Sequence, residues 1–201
     1  PQALEAEAAR LLEASTGPQN APHFFWWQDK LGGRLWPGYD VRRPGLGAER
    51  CAQANRRRWL VAAGAGKDGG PRIIRDDGWK ALLPGAEILP PVDYYTALPE
   101  VYARAEAVLN VTSLLLPYSL SQRHFDVWAS GGLLLSDATP GLDIFPAELT
   151  DPIRLRGPED FMPRCAWFRA HPQEALDLRR AWREHLRARH GYEQRIQSII
   201  E

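Results

Sequence analysis

Cysteine is scarce in this 201-residue chain. Cys51 and Cys165 lie far apart and form neither metal-ligand spacing nor a disulfide framework, which points to a reducing compartment, the cytoplasm. Excess charge is missing too. The 25 basic residues balance 25 acidic ones, so the net charge is zero, and no nucleic-acid partner is expected. Lysine is nearly absent, with only Lys30, Lys67 and Lys80, so the basic side chains are arginines. No apolar run approaches the ~20 residues a membrane span needs, and no signal-peptide pattern opens the chain. Pro1 rather than Met stands first, so a longer parent chain is expected. The five His residues form no HExxH pair and no zinc-type Cys–His spacing, so no metal site is expected. GxSxG, GxxxxGK[ST] and a GxGxxG after a strand are all absent. That argues against a serine hydrolase of that type, a P-loop and a dinucleotide fingerprint. A phosphate site would then have to be built from a helix N-terminus and Arg.

What is present centres on Leu109 to Asp137. Val108, Leu109, Val111 and Leu114 to Leu116 are apolar, and Leu133 to Leu135 form a second short run. Such runs, bounded by turn signals, suit strands buried on both faces. Between them Ser119 and Ser121 are good N-caps, and Phe125, Trp128 and Ala129 recur at helical spacing. The spacing predicts a helix from Ser121 to Ser130 that Gly131-Gly132 ends. A strand-helix-strand unit of about 30 residues suits a right-handed crossover in a parallel sheet. Ligands of such sheets bind beyond the carboxyl ends of the strands, where a helix N-terminus can meet an anion. That corner holds Asn110, Thr112, Ser113, Ser119, Ser121, Gln122 and Arg123, with Asp126 one turn into the helix. A plain loop would also carry Ser and Thr.

The rest of the chain fits around this unit. Residues 1–15 read as a helix stopped by Gly17-Pro18. Phe24, Phe25, Trp26, Trp27 and Trp36 form an aromatic cluster, read as packing rather than as a stacking platform. Residues 47–63 read as a helix with Ala52, Asn55, Trp59 and Ala62 inward and Arg56, Arg57 and Arg58 as a basic collar. Short strands follow at 72–75 and 86–92, then a helix at 97–104 with Leu98, Val101, Tyr102 and Ala105 inward. Beyond Asp137 come a strand at 153–155 and a helix at 158–169 with Phe161, Cys165 and Phe168 inward. A long helix opens at His171-Pro172, with Leu178, Trp182 and Leu186 inward and Arg179, Arg180, Arg183 and Arg187 solvated. Tyr192, Ile196, Ile199 and Ile200 suggest a final short helix. This order predicts an α/β fold with a parallel sheet.

Several local motifs then align with a known group. Asp77-Gly78-Trp79, Asp93-Tyr94-Tyr95, Leu98-Pro99, Tyr102, Leu109-Asn110-Val111-Thr112-Ser113 and Gln122-Arg123 are among them. Phe125-Asp126-Val127, Gly131-Gly132, Asp137, His171-Pro172 and His190-Gly191-Tyr192-Glu193 complete the pattern, and Asn55 to Leu60 looks like the group's Arg-rich first helix. Over roughly residues 54–196 the chain resembles the CgeB-like (spore-protein-like) glycosyltransferases.

The resemblance implies a Rossmann-like, three-layer domain, the C-terminal, donor-binding half of a GT-B glycosyltransferase. Residues 1–46 would be a helical and aromatic lead-in, and 47–201 the nucleotide-sugar-binding domain with its C-terminal helices. The donor is a substrate, and no separate cofactor is implied. An acceptor-binding domain would lie N-terminal to this segment. In related retaining enzymes an acidic residue five positions before the Gly binds the ribose hydroxyls, and Asp126 stands five before Gly131. Leu120, Ser121 and Gln122 would face the diphosphate, Arg123 with Arg56 or Arg57 would neutralise it, and Val92 and Tyr94 would border the base. Asn110, Thr112 and Ser113 would complete the donor corner. No catalytic residue is assigned. Related enzymes often carry a Glu eight positions before the ribose-binding one, and Tyr118 stands there. That departure motivates an alternative, a nucleotide-binding domain without catalysis. A third possibility is a structural module that binds protein through its aromatic and Arg faces.

Overall fold

A computed structural model describes residues 58–63, 72–74, 80, 86–112, 118–191, 193–194 and 196. The expected helix at 1–15, the aromatic cluster, the lead-in as a whole, Arg56, Arg57, Ser113 and Leu114 to Leu116 lie outside the described residues. Of the helix expected at 47–63, residues 58–63 are helical, with Trp59 and Ala63 buried.

The fold is α/β with Rossmann-like character: parallel strands flanked by helices. Strands β1 (Arg72–Ile74) and β2 (Glu87–Leu89) pair in parallel, with Arg72 opposite Glu87. Helix α1 (Leu98–Arg104) follows, and strand β3 (Val108–Asn110) begins the second sheet. Helix α2 (Gln122–Ala129) leads to β4 (Leu134–Asp137), which pairs in parallel with β3 and with β5 (Arg154–Leu155). Between β4 and β5 lie a 3₁₀ turn, Pro140–Ile144, and the short helix α3 (Ala147–Thr150). Helices α4 (Phe161–Ala170) and α5 (Pro172–Arg189) follow, and of the final short helix expected beyond them residues 193–194 and 196 are described, and are helical. Strand β4 sits between β3 and β5, and Leu134, Leu135 and Ser136 are fully buried. Flanking β3 is less covered than expected. Val108 and Leu109 are only half-buried, because among the described residues β3 has a strand on one side alone.

The core forms where α2 packs against β3, β4, α1 and α5. Trp128 and Trp182 stack in parallel at 3.8 Å, and Phe145 meets both edge-on. Phe161, Cys165 and Phe168 on α4 and Leu178, Trp182 and Leu186 on α5 are buried, as their spacing predicts. In α2 the inward arc differs from expectation. His124, Val127 and Trp128 are buried, Phe125 flanks them half-buried, and Ala129 is exposed. Positions i, i+3 and i+4 share one face, and the arc centres on His124 rather than Phe125.

One arginine leaves the face expected of it. Arg179 is half-buried and donates to three carbonyls, Ala103 O at 3.1 Å, Ala105 O at 2.8 Å and Glu106 O at 2.9 Å. These lie at and just beyond the carboxyl end of α1, where helix carbonyls lack intrahelical donors. Arg179 therefore ties α5 to α1, while Arg180, Arg183 and Arg187 are exposed as expected.

Candidate functional site

Helix α2 is held at both ends by local chemistry. At its carboxyl end Gly131 takes φ +75°, which a side chain would strain. Gly132 N–H donates to Val127 O and Gly131 N–H to Trp128 O, a Schellman pair that satisfies two terminal carbonyls. A Cβ on Gly132 would stand 2.6 Å from Tyr102 O, so only glycine lets α1 approach here. At the amino end Ser121 is the N-cap, with extended backbone.

The third residue of the helix, His124, then does what Glu does in a capping box. Ser121 N–H donates to His124 Nδ1 at 3.1 Å. Ser121 O lies 3.2 Å from the same nitrogen, but an amide N–H can only donate, so Nδ1 is the acceptor. Nε2 carries the proton and donates to Ser136 Oγ at 3.0 Å. Ser136 Oγ in turn donates to Asp137 Oδ1 at 3.3 Å. Burial pushes the imidazole down to about 4, so it is neutral at neutral pH.

This buried chain fixes α2 over the carboxyl ends of β3 and β4. Asn110 ends β3 fully buried, and its Oδ1 accepts from Ser121 Oγ at 3.1 Å. Thr112 donates twice to Asp137 Oδ1, from N–H and from Oγ1, both at 2.8 Å. Burial raises the Asp137 carboxyl, and the Thr112 donors oppose that rise.

On the solvent side of the same helix the polar residues form a second group. Tyr94 Oη donates to Asp126 Oδ2 at 2.7 Å and accepts from Gln122 Nε2 at 2.6 Å. The bond to Asp126 is the main reason the Tyr94 phenol is pushed up to about 12. Tyr94 is carried by a braced turn. Asp93 Oδ1 accepts from Tyr95 N–H, Thr96 N–H and Thr96 Oγ1, and the Thr96 hydroxyl is the main cause of its lowered carboxyl pKa.

The expected site residues thus divide into three groups. Asn110, Thr112 and Ser121 join the buried support beneath the helix N-terminus. Gln122, Asp126 and Tyr94 are linked on its outer face. Arg123 is exposed on the first turn, while Leu120 and Val92 are half-buried beside these segments. His124, Ser136 and Asp137 were not expected as supports. A His three residues after a Ser N-cap, at the capping-box position, is the signal that could have identified the first.

Chemically, the arrangement offers an acceptor carboxylate one turn from a rigid helix N-terminus at the carboxyl ends of parallel strands. Such a corner suits an anionic ligand. Among the described residues no group of His, Cys, Asp or Glu could hold a metal ion, and no helix is long and apolar enough to cross a membrane. No curated protein and no solved structure matches the chain. The model of the family described as glycosyl transferase-like matches residues 42–201, and the chain belongs to that family.

Proposed function

We propose that this glycosyltransferase-like domain binds the donor, a nucleoside-diphosphate sugar, for transfer to an acceptor held elsewhere. The observation that carries the reading is Asp126. It stands half-buried on the outer face of α2, five residues before Gly131, above a helix N-terminus anchored to β3 and β4. A carboxylate accepts hydrogen bonds from ribose hydroxyls. The N–H groups of Leu120 and Gln122 face the diphosphate, on either side of the Ser121 N–H that His124 Nδ1 already holds. Arg123, with Arg56 or Arg57, balances the charge that develops as the nucleotide leaves. Val92 and Tyr94 border the base. In this reading the domain is the C-terminal half of a GT-B enzyme of the CgeB-like kind, and an N-terminal acceptor domain completes it.

One observation favours a second reading, nucleotide binding without transfer. Tyr118, where related enzymes often carry Glu, is exposed and offers no carboxylate to the donor sugar. Calorimetric titration with UDP, GDP and ADP tests the shared part of both readings. One nucleotide should bind, and Asp126→Ala or Arg123→Ala should each weaken it by about 1–3 kcal/mol. Absence of binding to all three, or binding unchanged in Asp126→Ala, would sink both. Sugar transfer by the full-length protein separates the first from the second.

A further inference from the structure

Asp126 has two carboxylate oxygens, and the structure treats them differently. Oδ2 accepts the short bond from the Tyr94 phenol, whereas Oδ1 has no partner among the described residues. Tyr94 is also not a loosely placed side chain. Gln122 donates to its hydroxyl from the first turn of the same helix. Its backbone belongs to the turn that Asp93 braces with three hydrogen bonds, and that turn runs directly into α1 through Ala97 N–H and Leu98 N–H donating to Asp93 O. The Tyr95 ring packs edge-on against Tyr94 at 5.0 Å. Displacing the phenol would break two hydrogen bonds and disturb this packing.

From these contacts, and resting on the donor reading above, we infer that Asp126 receives the nucleotide through Oδ1 alone. Tyr94 is the positioning residue that retains Oδ2 and so makes the site read one ribose hydroxyl instead of two. A second hydroxyl arriving at Oδ2 would share an oxygen already bonded to a phenol, and so would gain less than the first gains at the open oxygen. Tyr94 thereby sets specificity without touching the reacting atoms. The site tolerates loss of one ribose hydroxyl and rejects loss of the other.

The test is calorimetric titration of this chain with UDP, GDP and ADP and with the 2′-deoxy and 3′-deoxy forms of each, for the wild type, Tyr94→Phe and Asp126→Asn. In the wild type one deoxy position should cost about tenfold in affinity, and the other should bind within twofold of the parent. Tyr94→Phe keeps the ring and frees Oδ2, so in that variant both deoxy positions should cost several-fold. A residue that merely supported the fold would shift all nucleotides together and leave this pattern unchanged. Equal losses for the two deoxy forms in the wild type would show that Tyr94 is displaced, which overturns the inference and leaves the donor reading standing. The inference is overturned in the same way if neither deoxy form loses affinity while Asp126→Asn weakens every nucleotide. If no nucleotide binds, or Asp126→Asn changes nothing, the donor reading fails and this inference fails with it. Should Tyr94→Phe not fold, the wild-type deoxy series alone decides.

Discussion

The two faces of α2 are built from the same eight residues and follow opposite rules. Inward, His124, Val127 and Trp128 are buried to completion, and the one ionisable group among them is held neutral. Outward, Gln122, Arg123 and Asp126 keep their polarity in contact with water, linked through an exposed tyrosine. The dry face determines where the helix sits and the wet face determines what it offers. Rigid placement of polar groups at a helix N-terminus is what a binding site for a charged ligand requires. The difference teaches that polar residues in a motif need not share a role. Here Asn110 and Ser121 serve the support, while Asp126, a few residues on, is presented.

The sharpest way to break this comparison is to remove the stacked indole beneath the helix. Trp182 is 1% exposed and lies flat on Trp128. Trp182→Ala should cost about 3–5 kcal/mol through lost transfer energy and an unfilled cavity, read by urea denaturation. Asp126→Ala on the other face should move the same midpoint by no more than about 0.5 kcal/mol. Equal effects from the two would dissolve the distinction. The indole N–H groups of both tryptophans are buried without a hydrogen-bond partner, so Trp182→Phe should cost less than the lost area alone suggests.

A smaller effect comes from pH. His124 has its folded pKa lowered to about 4 from 6.5, so the unfolded chain binds the extra proton first. Stability from this residue is complete above pH 6.5 and is lost as pH falls from 6.5 towards 4, by up to about 3 kcal/mol. Asp137 runs the other way. Its carboxyl pKa is raised by burial, so its share of stability grows as pH falls through the carboxylate range. His124→Gln keeps an acceptor for Ser121 N–H but cannot titrate. Denaturant midpoints of that variant should be nearly flat between about pH 6.5 and 5, where the wild type falls. An equally steep fall in both would remove His124 as the cause.

Much of this architecture was legible because its signals are local. A Ser N-cap, a Gly-Gly stop and apolar residues at i, i+3 and i+4 locate α2, and the same arguments find α4 and α5. What escaped depends on distant partners. Arg179 reads as a solvated helix residue until it meets the carbonyls of Ala103, Ala105 and Glu106, more than seventy residues earlier. His124 reads as an ordinary polar position until β4 supplies Ser136 and Asp137 beneath it. Tyr94 and Asp126 were both expected at the site, but as separate parts, one near the base and one on the ribose. Their direct bond joins positions 32 residues apart, and no periodicity encodes it.

That bond permits the finest test of the wet face, in which the expected change is in titration rather than in stability. The Tyr94 phenol is pushed up to about 12, first by its hydrogen bond to Asp126 and further by burial and that residue's charge. A tyrosine with a raised folded pKa contributes fully below about pH 10, and its contribution is lost as pH rises from about 10 to 12. Ultraviolet titration of the folded protein, monitored in parallel by near-ultraviolet circular dichroism, should show a late phenol step that Tyr94→Phe removes. Asp126→Asn should move that step back towards about 10, because the neutral amide no longer holds the proton by charge. A late step that survives in Tyr94→Phe belongs to another tyrosine. A step unmoved in Asp126→Asn would mean that the phenol is held by its surroundings and not by the carboxylate. In that case Oδ2 is as open to a ligand as Oδ1, and the wet face loses the asymmetry that the contacts give it.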